Sequence, residues 1–539
     1  MGRGRNRYAT SVALFAALGS VTYGYGASII AQTIGQPQFY ATFNLAQEGP
    51  GLSHTNTITG LMNGLFSTGG ALGALSTAYT AEAFGRLRTI QLACIVCIIG
   101  AALMTGAANI AMFLASRFIM GWGIGQIVCA VPLYQAELST PKHRGLHVGF
   151  HGIALASGYT LTGFVGFGCY YASTTSFQWQ FPFAVQLIPV IILLAGSWAL
   201  PESPRWLLSK GRRYLAWRNL QRLHHDPQDP EDTFARKEFY QMTQQYALEL
   251  HRRSQMNIVH WWDFFKRASF RKRLVVGMGA QMINVCTGNL VVNNYQVQLY
   301  QQLGVKGGIP ILLIACWNIV GICGNSTSAF LLMDKFGRKG FYMVGIAGTT
   351  ISLCFEAALT KYYVQTHSTN RVGLGFGVFL IFFYVAFYAS CMDNQQYVMV
   401  TETFAMESRS LGVALSLFAQ FAGTALFVGV APTSFASIGW KFYLVFICID
   451  VFSLILVWKV FPETKNLSLE EIDELYGDPV AVHLEASPRY EGEELEKHIR
   501  TMRLPTKEDD GSRLSSVKAD PSQNATSTTS VKEEPTKAE

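Results

Sequence analysis

Charge is what this chain of 539 residues has least of. Asp, Glu, Lys and Arg make up 14% of it, where a soluble chain carries about 25%. A globule surrounded by water is therefore excluded. Cysteine occurs ten times but singly, without the spacing of a disulfide framework. Cys94-x-x-Cys97 lies within an apolar run with no further ligands beside it, which favours packing over redox or metal chemistry. No G-x-x-x-x-G-K-[ST] loop is present, so direct ATP drive has no site. Nor does the chain open with a short apolar core and an A-x-A-like site, so its first apolar run is read as a span and not a cleavable signal.

What fills the chain instead is apolar. Half of its residues are hydrophobic, with 50 glycines and 36 phenylalanines. Hydropathy predicts twelve apolar spans, from 8–30 through 57–79 to 440–461, each near the roughly 20 residues that cross a bilayer core as a helix. The formal charge of +7 is sorted by loop. Arg3, Arg5 and Arg7 precede the first span, Arg86 and Arg88 follow the second, and Lys142 and Arg144 follow the fourth. The opposite loops 31–56, 109–110 and 170–178 hold no Lys or Arg, and only Lys306, Lys361, Arg371 and Lys441 interrupt the pattern. This asymmetry places both termini in the cytosol. It speaks for a lipid bilayer, not a nucleic acid, as the partner of the basic residues.

The stretch from Arg117 to Gly145 organises the rest. Arg117 stands inside a span, where a charge costs at least about 2.5 kcal/mol unless it faces a wet or paired interior. Gly121 and Gly125 share its helical face and let another backbone approach. The motifs after this span recur in the second half. Gly85-Arg86 is echoed by Asp334 with Gly337-Arg338, Glu137 and Arg144 by Glu402 and Arg409, and Pro201-Glu202-Ser203 by Pro462-Glu463-Thr464. The separations are 252, 265 and 261 residues, which implies a duplicated six-helix unit with a substrate site between the copies. Acids and bases at matching helix ends predict a two-state latch of Arg86, Glu137, Arg144, Asp334, Arg338, Glu402 and Arg409. The predicted organisation is a six-helix half over 1–200 and a cytosolic loop with short helices over 201–273. A second half covers 274–461, followed by a cytosolic tail over 462–539. Beyond about 477 the tail is polar and expected to be disordered, a place where cytosolic regulators would act.

Arg117…Gly121-x-Gly123-x-Gly125…Pro132-x-Tyr134-x-x-Glu137…Arg144-Gly145 resembles the fourth helix and following loop of sugar porters, members of the major facilitator superfamily. Pro201-Glu-Ser-Pro-Arg-Trp-Leu-Leu and Pro462-Glu-Thr-Lys resemble the signatures that close each half in that family. The resemblance runs from about residue 8 to 476. It implies an all-α membrane protein with twelve transmembrane helices in two pseudo-symmetric halves, no enzymatic activity and no cofactor.

Sugar recognition needs amides that both donate and accept, plus an aromatic face. The seventh span offers Gln281, Asn284, Asn289, Asn294 and Tyr295, and so many polar side chains in one span favour a cavity lining. Alignment with the family adds Tyr397 where a tryptophan is usual and Gln420 where an asparagine is usual. In the fifth span the family's glutamine falls on Gly152, beside His151. His143, His147 and His151 are four apart, but no carboxylate or further histidine box follows, so a lining role for His151 is preferred to a metal site. Of the acids within spans, Glu356, Asp393 and Asp450, only Asp393 sits in a polar belt, Asp393-Asn394-Gln395-Gln396. It is the candidate proton site. Proton-coupled sugar porters carry Gly-Tyr-Asp in the first helix; here the run is Gly24-Tyr25-Gly26, so that acid is missing while Arg117 remains. The expectation is a plasma-membrane carrier for a sugar or similar polyhydroxylated solute, a uniporter in preference to a proton symporter. A sugar sensor on the same scaffold and a carrier of a non-sugar metabolite are the alternatives.

Overall fold

The computed structural model describes residues 6–46, 49–172, 176–226, 229, 232–255, 261–305, 307–364, 370–465, 467–469 and 471–480. The expectation of disorder in the tail falls, beyond 480, outside these residues, as does the side chain of Asp334. The described chain is all-helical. Eleven of its helices are long and apolar enough to cross a membrane: Arg7–Thr33, Arg86–Thr105, Ile110–Leu138, Arg144–Tyr170, Phe177–Ala199, Ala268–Gln302, Ile309–Leu332, Lys339–Tyr363, Val372–Thr403, Arg409–Phe435 and Lys441–Val460. A further long helix, Leu52–Ala83, falls where the span 57–79 is expected. Its 32 residues are ample, but its Gly, Ser and Thr content keeps it out of the apolar set. Counting it second in chain order gives twelve long helices, referred to below by ordinal.

That small-residue content has a packing cause. A Cβ at Gly69 or Gly73 would run into the backbone of Phe118 or Trp122, and one at Gly121 or Gly125 into that of Phe66 or Gly70. The second and fourth helices therefore touch backbone to backbone along the face that the Gly121 and Gly125 spacing predicts. The second helix also packs along the eleventh, and the fifth along the eighth, so each half presents two long helices to the other.

Two irregularities position the site. The seventh helix breaks at Thr287-Gly288, where Gly288 has φ +82° beside the ring of Phe446. A side chain there would be strained in the left-handed region. The Thr287 carbonyl freed by the break accepts from the Tyr384 hydroxyl at 2.9 Å, since a backbone group left unsatisfied within a membrane would be costly. The tenth helix passes through a π-turn at Ala389–Asp393, a distortion often found at functional sites.

Between the halves lie the helices Pro204–Ser209, Arg213–His224 and Thr233–Gln255 and the 3-10 turn Trp261–Lys266. Both described ends of the chain reach this region. The Asn6 amide donates to the carbonyls of Arg222 and Leu223, and Gln241 donates to Ser468.

Candidate functional site

A cavity lies between the two sets of helices. The first helix contributes Tyr23 and the fifth contributes Leu155, Ala156 and Tyr159. Across from them stand Asn284, Asn289 and Leu290 of the broken seventh helix, and Trp317, Asn318, Gly321 and Asn325 of the eighth. The tenth helix adds Val385, Tyr388, Ala389, Asp393, Gln396 and Tyr397, and the eleventh adds Gln420. A lining that mixes aromatic faces with a few polar groups is what recognition of a small solute requires.

The polar groups hold one another in place. The Asn284 amide donates to the Tyr388 hydroxyl at 2.7 Å. Asp393 accepts from Asn325 at 2.9 Å, and from Tyr388 and Gln396 at 3.5 Å each. The Trp317 indole donates to the Ile381 carbonyl at 3.0 Å, which fixes its ring. His151 stands one layer back. Its Nδ1 is 2.7 Å from the Ser20 hydroxyl, and its ring meets Tyr397 edge-on with centroids 4.2 Å apart.

Of the substrate contacts expected from the sequence, Asn284, Asn289, Tyr397 and Gln420 line this cavity, and so does Asp393. Gln281, Asn294 and Tyr295 do not. Gln281 is fully buried with no partner for its amide. Asn294 donates within its own helix to Leu290, and the Tyr295 hydroxyl donates to the Val428 carbonyl at 2.9 Å. His147, four residues before His151, places its ring nitrogens against Ser139 and Thr10. Tyr23, Tyr159, Trp317, Asn318, Asn325 and Tyr388 were not anticipated, whereas Gln396 belongs to the polar belt that follows Asp393. The one available signal was Asn318 and Asn325, two turns apart in an otherwise apolar span.

A second constellation sits where the basic loops converge, and it repeats itself across the two halves. Arg86 holds Glu137 with two bonds of 2.9 and 2.8 Å, and the Ser203 hydroxyl donates to the same carboxylate. Its counterpart pairs Arg338 with Glu402 at 3.4 Å, with the Thr464 hydroxyl donating to Glu402 at 2.6 Å. Glu202 accepts the backbone N–H groups of Arg86 and Leu87, as Glu463 accepts those of Arg338 and Lys339. The remaining arginines cross over: Arg144 reaches Glu402 at 3.7 Å, and Arg409 reaches Glu137 at 3.9 Å. The crossing is reciprocal, and every side chain in it is buried.

On the same face, Thr233–Gln255 carries the last described segment. Gln245 donates to Asp473, and Arg252 pairs with Asp478 at 2.9 Å. Glu249 is 5% exposed and accepts the Glu407 N–H at 3.1 Å. Burial first, then Asp473 and Glu407, push its carboxyl well above the usual carboxylate range. A raised acid contributes stability that is fully present below its unfolded pKa and lost as pH rises through its folded pKa. Glu249→Gln is therefore expected to raise thermal stability at mildly alkaline pH, by about 1.4 kcal/mol for each pKa unit of the shift. It should leave stability in acid unchanged. Melting curves of the purified protein across pH check this, and parallel curves for the two proteins would refute it.

Arg117 occupies neither constellation. Fully buried, it donates to the carbonyls of Met62 at 3.2 Å and Gly26 at 3.1 Å, with its guanidinium 4.2 Å over the Phe66 ring. No carboxylate stands within ion-pair distance of it among the described residues.

The comparisons with known proteins agree with this architecture. Residues 12–476 match the family model described as sugar (and other) transporter. The chain belongs to that family. Among curated relatives, the MFS-type transporter criB of Aspergillus cristatus is 31% identical over 473 residues, covering 88% of this chain and 94% of the relative. A quinate permease of Neurospora africana is 29% identical over 493 residues, covering 86% and 88%. In fold the chain is similar to the major facilitator superfamily proton:xylose symporter XylE bound to 6-bromo-6-deoxy-D-glucose. The TM-score is 0.76 at 23% identity, covering 88% of this chain and all of that one. The protein is thus a membrane-embedded, multi-pass transporter of the sugar porter family, and not an enzyme.

Proposed function

We propose that the chain moves a sugar or similar small polyhydroxylated solute across the plasma membrane by alternating access, with its basic face and both termini in the cytosol. The observation that supports this reading is the cavity lined from both sets of helices, beside the reciprocal Arg144–Glu402 and Arg409–Glu137 pairs between the halves. In this reading residues 1–200 and 274–461 are two rocking halves joined by 201–273. Arg86, Glu137, Arg144, Arg338, Glu402 and Arg409 are the latch between them. When the halves rock, the crossing pairs separate and the cavity opens inward, while each glutamate keeps the arginine of its own half.

The solute is held by Asn284, Asn289, Gln420 and the ring of Tyr397. The names of the relatives, which include quinate permeases and a glucose transporter, favour a polyhydroxylated ring in the size range of a monosaccharide. Transport is downhill. Arg117 has no acid opposite it, because Gly26 stands where proton-coupled family members carry an aspartate, so the usual relay has no proton acceptor. Asn289→Ala and Tyr397→Ala are each expected to raise the half-saturating concentration about two- to twelvefold, the value of one buried hydrogen bond of about 0.5–1.5 kcal/mol. Expression should be unaltered. Uptake kinetics in proteoliposomes across hexoses, pentoses, disaccharides and polyols test both the solute class and these variants. Unchanged affinity in both variants would move the pocket elsewhere.

A further inference from the structure

Part of the polar lining of the cavity is committed to bonds within the protein. The amide nitrogens of Asn284, Asn325 and Gln396 are committed to Tyr388 and Asp393, which orients their oxygens away from those bonds. The side-chain oxygens of Asn284, Asn289, Asn325, Gln396 and Gln420 are all buried without a hydrogen-bond partner. Among side-chain nitrogens of the lining, Asn318 Nδ2 is the one found in that condition among the described residues. The hydroxyls of Tyr23, Tyr159 and Tyr397 and the amides of Asn289 and Gln420 complete a lining that can both donate and accept.

The charge of the lining, by contrast, is of one sign. Asp393 is the one ionisable carboxylate of the lining, no lining residue is Lys, Arg or His, and the donors on Asp393 are all neutral. The nearest imidazole, His151, lies behind Tyr397 and turns Nδ1 to Ser20, while Arg117 is engaged by Gly26 and Met62. The same cavity carries the rings of Tyr23, Tyr159, Trp317, Tyr388 and Tyr397. Aromatic faces attract a cation, and more strongly once it is desolvated. A carboxylate within a membrane is costly unless something pairs with it, and here the partner of opposite charge must come from the solute or from a proton.

We infer that the cavity selects polyhydroxylated solutes bearing a protonated amine, with Asp393 as the specificity-determining ion partner, the tyrosine and tryptophan rings of the lining around the charge, and the lining amides and tyrosine hydroxyls bonding the hydroxyl groups. Carboxylate solutes such as quinate are disfavoured in the same cavity, because they would face Asp393 with no cationic side chain in the lining to offset it. This rests on the carrier reading only for the identity of the cavity. The preference itself is a property of binding and is measured without flux.

The test is calorimetric titration of the purified full chain in detergent, at neutral pH, with glucosamine, N-acetylglucosamine, glucose and quinate in turn. A charged hydrogen bond exceeds a neutral one by roughly 1–1.5 kcal/mol, so glucosamine is expected to bind about tenfold more tightly than glucose or N-acetylglucosamine. Quinate should be the weakest of the four. In Asp393→Asn the gap between glucosamine and its neutral analogues is expected to fall below about twofold. Equal or tighter binding of a neutral sugar or of quinate by the unaltered protein overturns the inference, as does failure of glucosamine to bind. An amine preference that survives Asp393→Asn also overturns it. The unaltered protein alone decides the main point if the variant does not fold. In proteoliposomes, glucose uptake with no amine preference would sink this inference and leave the carrier reading standing. Amine-selective binding without flux of any solute would do the reverse.

Discussion

Gly26→Asp is expected to turn downhill uptake into proton-driven accumulation. Arg117 lies fully buried, held by two backbone carbonyls and an aromatic face, and one of those carbonyls belongs to Gly26 itself. A Cβ built on Gly26 would find Met120 Cε at 3.4 Å and Gln186 Oε1 at 3.9 Å, ordinary contact distances. A side chain can therefore begin there without a backbone clash. The carboxylate of the aspartate would sit beside a guanidinium whose Nη2 has no partner. Leaving a buried charge uncompensated costs about 3–5 kcal/mol, so part of that should return as a higher melting temperature. Under an inward pH gradient of about one unit, the variant should concentrate solute up to about tenfold, whereas the unaltered protein should only equilibrate it. If the variant also only equilibrates, the missing acid is not what separates this chain from its coupled relatives. If the unaltered protein already concentrates solute and loses the ability in Asp393→Asn, the proton site has moved there.

Arg144→Ala and Arg409→Ala should each slow transport while leaving membrane insertion intact. The geometry separates the two effects. Glu402 keeps Arg338 and Thr464 when Arg144 is removed, and Glu137 keeps Arg86 and Ser203 when Arg409 is removed. Neither glutamate is stranded as a bare buried charge, so the fold is spared the full cost of a broken pair. What is lost is the contact between halves. At about 1–2 kcal/mol, that loss shifts the balance of closed and open states about five- to thirtyfold. The double variant should be the slowest, and a cysteine placed in the cavity should label faster from the basic face. Unaltered transport in either single variant would reduce these arginines to topology signals.

The arginine–glutamate pairing at the basic face was readable in the sequence because its chemistry is written twice. Glu137 with Arg144 and Glu402 with Arg409 recur at one spacing beside helix ends, and a repeat of that kind survives without any knowledge of packing. Ser203 and Thr464 sat in the same repeated motif, yet their hydroxyl bonds to Glu137 and Glu402 depend on how the closing turn folds back. The cavity was only partly readable, for a different reason. On the seventh helix the polar side chains crowd together, and which of them face the cavity depends on the break at Gly288 and the kink at Tyr295. Those bends turn Asn284 and Asn289 inward and send the Tyr295 hydroxyl to Val428. Tyr23, Tyr159 and Trp317 are aromatic residues within apolar spans, and their role appears only when two helices from opposite halves are brought face to face. The second helix shows the limit of hydropathy itself: its glycines lower its apolar score for the reason that makes it a good neighbour to the fourth.

The central claim is alternating access through the cavity between the halves, and trans-acceleration measures it most directly. Proteoliposomes preloaded with unlabelled solute, chosen from the binding panel, should take up labelled solute faster than empty ones, and saturably. Both rates should fall in the Arg144→Ala, Arg409→Ala double variant. Uptake no faster than into protein-free vesicles, for every solute that binds, would contradict the account.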